Sequence, residues 1–182
     1  MRSSALAFLL MVAASLPAAE PFFFVQLADP QFGMFTDNED FAQETANLEF
    51  AVATINRLHP AFVVVSGDML NRPGDAAQIR EYQRIMSRVG PGIPVYALAG
   101  NHDIGNAPSP AAIATYTNHF GPDHYTFRHA GLVGIVLNSV IIHTPQQVAP
   151  QLAEQERWLQ AELQQARQQG TPHIVVFGHH PW

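Results

Sequence analysis

The stretch Ala61-Phe62-Val63-Val64-Val65-Ser66-Gly67-Asp68 decides the fold. Five apolar residues, three of them β-branched, stop abruptly at a small-residue turn and an acid. A continuous run of this length, with no polar alternation, reads as a strand buried on both faces, as in a parallel sheet covered by helices. The same grammar recurs along the chain. Residues 22–28 form an apolar run closed by Asp29-Pro30, residues 93–99 one closed by Gly100-Asn101-His102-Asp103, and residues 173–177 one closed by Gly178-His179-His180-Pro181.

Helical periods separate these runs. Thr36-Asp37-Asn38-Glu39 has the spacing of a capping box and predicts a helix from there to about Leu58, with Phe41, Thr45, Leu48, Val52 and Ile55 on one face and His59-Pro60 as its stop. Asp75, after the Pro73-Gly74 turn, predicts the cap of a helix carrying Ile79, Tyr82, Ile85, Met86 and Val89. Residues 125–128 and 132–137 predict a hairpin. Residues 150–169 predict a helix with Leu152, Leu159, Leu163 and Ala166 inward and Gly170 as its stop. Strand and helix in alternation predict a layered α/β fold.

Composition narrows the chemistry. The chain has 182 residues, 47% of them hydrophobic, and a net charge of −6. Mild acidity without a basic run argues against a nucleic-acid partner. All nine basic residues are Arg, and there is no Lys, so a lysine-based phosphate clamp is excluded; with no Cys, thiolate metal sites and thiol nucleophiles are excluded too. Nine His remain. Residues 1–19 read as an export signal: Arg2, an apolar stretch from Ala5 to Leu16, then Pro17-Ala18-Ala19. The expected domains are therefore this signal and residues 20–182. The mature chain is expected to be exported, periplasmic in a bacterium and secreted otherwise, with no membrane span.

Asp29, Asp68, Asn101-His102-Asp103 and His179-His180 each follow a buried strand directly. Loops at the carboxyl ends of parallel strands share one edge, where ligands bind. Asp and Asn are common in turns, but four such endings in succession exceed what turn chemistry requires. Oxygen and imidazole ligands without thiolate suit Mn²⁺, Fe or Zn²⁺ in hydrolytic work. Leu137-Asn138-Ser139 closes one more strand, and Asn138 reads equally as a turn residue or as reaching the crevice.

The segments Ala28-Asp29-Pro30-Gln31-Phe32-Gly33, Gly67-Asp68-Met69-Leu70-Asn71, Gly100-Asn101-His102-Asp103 and Gly178-His179-His180-Pro181 resemble the ordered motifs of the calcineurin-like metallophosphoesterases. Their form most resembles the branch described as serine/threonine phosphatases with a calcineurin-like phosphoesterase domain. The resemblance implies a β-sandwich flanked by helices and two divalent metal ions (Mn, Fe or Zn). It implies Asp68 as the carboxylate shared between them, Asp29 on the first, and Asn101 and His179 on the second. It further implies His102 as the acid for the leaving oxygen or as a phosphate-binding cation, oriented by Asp103, and a phosphorylated substrate as the partner. Asn71, Arg72 and His180 are the candidates for substrate contact. Gln31 stands where the family's first motif usually has His, and is a candidate for the metal or for water positioning. The family's last motif, Gly-His-x-His, has no counterpart before Trp182, so the chain is expected to be the amino-terminal portion of a longer domain. The expected reaction is hydrolysis of a phosphoric monoester, with a phosphoprotein as one substrate class. The alternatives are a phosphodiesterase of nucleotides or lipid head groups, and a binding module of the same fold that has lost catalysis.

Overall fold

The computed structural model describes residues 20–181; the expected export segment lies outside them. Twelve elements follow in order: β1 (Val25–Leu27), α1 (Ala42–Leu58), β2 (Val63–Val65), α2 (Ala76–Met86), β3 (Val95–Ala97), α3 (Asn101–Ile104), α4 (Pro110–Phe120), β4 (Tyr125–His129), β5 (Leu132–Val136), α5 (Ser139–His143), α6 (Ala149–Gln168) and β6 (His173–Phe177).

The strands form two sheets. β1, β2 and β3 pair parallel in that order; β4 pairs antiparallel with β5, and β5 parallel with β6. The valine run explains the layering. Val63 and Val65 point into the cluster that packs the first sheet on α1 and α2, while Val64 points the other way, into a cluster shared with the second sheet. All three are fully buried. On the second sheet Leu132 and Val136 face the first, and Val133 and Ile135 face Trp158, Leu159 and Leu163 of α6. The result is four layers: helix, sheet, sheet, helix. The central strands β2 and β5 are buried on both faces because both faces are covered, and each buried Val or Ile contributes about 1.5–3 kcal/mol of hydrophobic stabilisation.

Aromatic rings fill the space between the sheets. Phe127 lies opposite Gly134 in the ladder, where a Cβ would collide with its ring. On its other side it stacks on Tyr96, with ring planes 11° apart.

One expected boundary is corrected. Helix α1 starts at Ala42, not at the Thr36 box. Asp37 and Asn38 take left-handed backbone, φ 53° and 70°, which a helix start cannot accommodate. Thr36 instead closes a local turn on Asp40, and Asp40 Oδ1 accepts the amide of Ala42 at 3.0 Å. Asp75 caps α2 as expected, accepting from Ala77 and Gln78.

Candidate metal centre

Because β1, β2 and β3 run parallel, Asp29, Asp68 and Asn101 leave the first sheet at one edge, and β6 delivers His179 to the same edge. Asp29, Gln31 and Asp68 all hold positive φ, 51°, 36° and 50°. Asp tolerates this conformation better than most residues, and three such positions in the loops after β1 and β2 concentrate backbone strain at this edge. Two glycines permit the close approach. A Cβ on Gly100 would fall on the Asp68 carboxylate and backbone, and one on Gly67 would meet the His179 ring at 2.7 Å.

Asp29, Asp68 and His179 each offer one ligand atom, and these atoms lie within 4.8 Å of one another. Asp68 is buried; its Oδ1 accepts the His102 amide at 2.8 Å and its Oδ2 lies 3.4 Å from His179 Nε2. Asn101 Oδ1 is 3.0 Å from the same Nε2, and its amide nitrogen donates to Asn106, which turns the oxygen toward the site. His179 Nδ1 is 2.9 Å from the Ser66 carbonyl. A carbonyl only accepts, so Nδ1 carries a proton and Nε2 is the atom presented to the carboxylate. This is the usual orientation of a metal-binding histidine.

The electrostatics agree. Asp68 holds the His179 imidazole up to about 9. With both nitrogens facing oxygens, the metal-free ring is an imidazolium between two acids. The Asp29 carboxyl is raised by burial, countered by His179, with Asp68 pushing it further up. Two carboxylates and an amide oxygen around one charged ring nitrogen form a place where a cation fits, and a divalent ion would replace the Nε2 proton.

The other expected residues divide. Gln31 is buried and its nitrogen donates to Asn71 Oδ1 at 3.2 Å, so its oxygen is the atom it could offer the site. The Asn71 side chain, a candidate for substrate contact, belongs to a net of amides, accepting from Gln31 and donating to Asn38, which also accepts from Gln78. Its backbone carbonyl serves the site, 3.1 Å from His102 Nδ1. Arg72 is exposed on the turn. His180 stacks on His143 with ring centroids 4.8 Å apart, and burial lowers its imidazole below the usual range, as do His179 and His143.

Asp103 is corrected. It does not orient His102. Its Oδ1 accepts the amides of Met69 and Leu70 at 2.9 and 3.0 Å, and Oδ2 that of Gly100 at 2.9 Å. Burial pushes this carboxyl up to about 7 against those three hydrogen bonds. Asp103 ties the loop after β2 to the loop after β3, and so sets the spacing of Asp68 and Asn101. The sequence reading missed Ser66, Ser139 and Gln155, all buried polar residues of this end of the sandwich. Ser66 and Ser139 carried a signal, since each follows a buried strand as the recognised residues do, while Gln155 carried none.

The family model of calcineurin-like phosphoesterases matches residues 24–182. Serine/threonine-protein phosphatase CPPED1 of Bos taurus is 36% identical over 176 residues, which cover 88% of this chain and 56% of that protein. The Rattus norvegicus protein of the same name gives the same figures. The chain thus spans little more than half the length of these curated relatives. Among solved structures, a purple acid phosphatase from yellow lupin (Lupinus luteus) seeds superposes with a TM-score of 0.56 at 10% identity, covering 90% of this chain and 31% of that one. That likeness is one of fold.

Proposed function

Since the chain belongs to the calcineurin-like phosphoesterase family, we propose that it hydrolyses phosphoric esters at a divalent metal centre built on Asp29, Asp68, Asn101 and His179. The observation that carries this reading is the convergence of Asp29, Asp68 and His179 within 4.8 Å from three separate segments of chain. A divalent ion there supplies positive charge to phosphate oxygens and lowers the pKa of water.

The chain's own residues do the rest. The His102 amide steadies Asp68 Oδ1, so the carboxylate keeps its direction when the site is loaded. The Asn71 carbonyl holds His102 by Nδ1, leaving Nε2 as the atom that hands a proton to the leaving oxygen. The Ser66 carbonyl holds His179 in the same way. Beside Asp29 a cavity of ≈ 240 Å³, walled by Leu27, Phe35 and Leu48, has room for part of a leaving group.

The likeness to proteins called serine/threonine-protein phosphatases supports a phosphomonoester, a phosphoprotein among them, as substrate. The test is turnover of p-nitrophenyl phosphate and of its bis-ester by the Mn²⁺-loaded chain. The monoester is expected to react faster, and a preference for the diester would favour nucleotide or lipid head-group substrates. His102→Ala is expected to cut turnover by about 10²–10⁴-fold with metal content kept; full activity in that variant would remove His102 from the reaction. Metal uptake without turnover on either ester would favour the binding module.

Residues 1–19 are assigned to export on their charge and hydropathy pattern. Amino-terminal sequencing of the exported protein is expected to begin near Glu20, and a start at Met1 would refute the assignment.

A further inference from the structure

β5 and β6 run parallel and pair as far as Val136 and Phe177, so the chain leaves both strands at one level. Next come Asn138-Ser139 on one side and Gly178-His179-His180 on the other. Ser139 is buried, and its Oγ accepts the amides of His179 and His180, each at 3.0 Å. The same oxygen lies 3.2 Å from His180 Nδ1. A hydroxyl has two acceptor positions and one proton. The two amides fill the acceptor positions, so the proton goes to His180 Nδ1, and neutral His180 must carry its own on Nε2. A serine at a helix start ordinarily caps the helix, but here Asn138 does that, its Oδ1 accepting from Ile141. The Ser139 hydroxyl is left to the histidine segment.

We propose that Ser139 is a positioning residue: its one buried hydroxyl fixes the His179-His180 backbone where His179 Nε2 meets Asp68 and Asn101, and it holds His180 as the Nε2–H tautomer. The metal half of this proposal rests on the metal-centre reading above; the tautomer half does not. His179 is thereby held from both sheets, its ring by Ser66 of the first and its backbone by Ser139 of the second. Ser139 has its own anchors through its neighbour. Asn138 donates its amide to Gln155 Oε1 at 2.8 Å, accepts from Gln155 Nε2 at 3.3 Å, and donates through its side chain to Asp123 at 2.9 Å.

Two variants of equal shape separate hydroxyl from bulk. Ser139→Thr keeps the hydroxyl and Ser139→Val does not. Mn²⁺ affinity by titration calorimetry is expected to be about tenfold or more weaker in the valine variant than in the threonine one, the range seen when a metal ligand loses its outer partner. Equal affinities in two folded variants would overturn the metal half. The parent chain tests the other half without any substitution. Imidazole nitrogen shifts in the metal-free protein, with His180 assigned by its loss in His180→Asn, are expected to show the Nε2–H form, and an Nδ1–H form would overturn the proposal even where the valine variant does not fold. A parent that takes up no Mn²⁺ would instead refute the metal-centre reading and leave the tautomer result to stand.

Discussion

At Asp68 a single carboxylate faces an amide through one oxygen and an imidazolium through the other, on a left-handed backbone that Gly100 alone leaves room for. Asp68→Asn keeps the shape and removes the charge. The variant is expected to retain less than about a tenth of the parent's Mn²⁺ after reconstitution and desalting, because a neutral amide is a far poorer partner for a divalent ion. Elemental mass spectrometry reads this directly, and unchanged stoichiometry would end Asp68's role as the shared ligand. Asp103 presents a different case. Its two oxygens satisfy three buried amides, and an asparagine offers one oxygen while turning its own donors on the others. Asp103→Asn is expected to cost about 3 kcal/mol, which in a chain of this size lowers Tm by roughly 6–12 °C. A melting point equal to the parent's in chelator would show that the loops hold without it. The family resemblance implied that Asp103 orients its neighbour His102. In α3 successive residues point about 100° apart, and the helix sends His102 to the site and Asp103 into the core. Adjacency in sequence is separation in space here, and no motif records it.

Among the elements, those legible in the sequence have one dominant cause. α2 has its Asp75 cap and its apolar face, and β6 spans the residues its apolar run predicts. α1 was misread at its start because Thr36 and Glu39 have the right spacing, while Asp37 and Asn38 between them are left-handed and Asn38 is held by contacts with Gln78 and Asn71 far along the chain. The loop before β4 carries an ion pair. His124 Nδ1 meets Asp123 Oδ1 at 3.0 Å, its Nε2 meets Glu154 of α6 at 3.2 Å, and its ring meets Trp158 edge-on. The Asp123 hydrogen bond raises the His124 imidazole above its ordinary 6.5. Burial pushes Asp123 up, but hydrogen bonds from His124 and Asn138 outweigh it and bring the carboxyl below 3.8. The histidine's contribution to stability is therefore complete below about pH 6.5 and fades as pH rises through its higher folded value. The aspartate's is complete above about pH 4 and fades as pH falls through its lower one. His124→Gln is expected to cost about 1–2 kcal/mol near pH 5.5 and distinctly less near pH 9. Denaturant unfolding at the two pH values checks it, and an equal cost at both would mean that the pair acts by packing alone.

For the molecule as a whole, the residues read correctly that buried runs end at one chemical edge, but only family resemblance supplied the division into two sheets. The physical reason is that the central strand of each sheet lies between two layers. Val64 facing the second sheet and Val63 facing a helix are the same residue type, so the apolar runs of β2 and β5 look alike whichever sheet they join. Division matters because the centre straddles it: Asp29, Asp68 and Asn101 come from the first sheet and His179 from the second. An ion bound there links the two sheets, and the unfolded chain offers no equivalent set of ligands. Stabilisation by such an ion follows mass action, about 2.7 kcal/mol at a free concentration one hundred times its Kd, which for a domain of this size raises Tm by roughly 5–11 °C. The parent is expected to show that rise in Mn²⁺ and lose it in chelator, while Asp68→Asn melts at one temperature in both. Scanning calorimetry on the two proteins decides the matter. A parent that melts at one temperature in both conditions would mean that the ligands, though brought together by the fold, do not close on a metal in this chain.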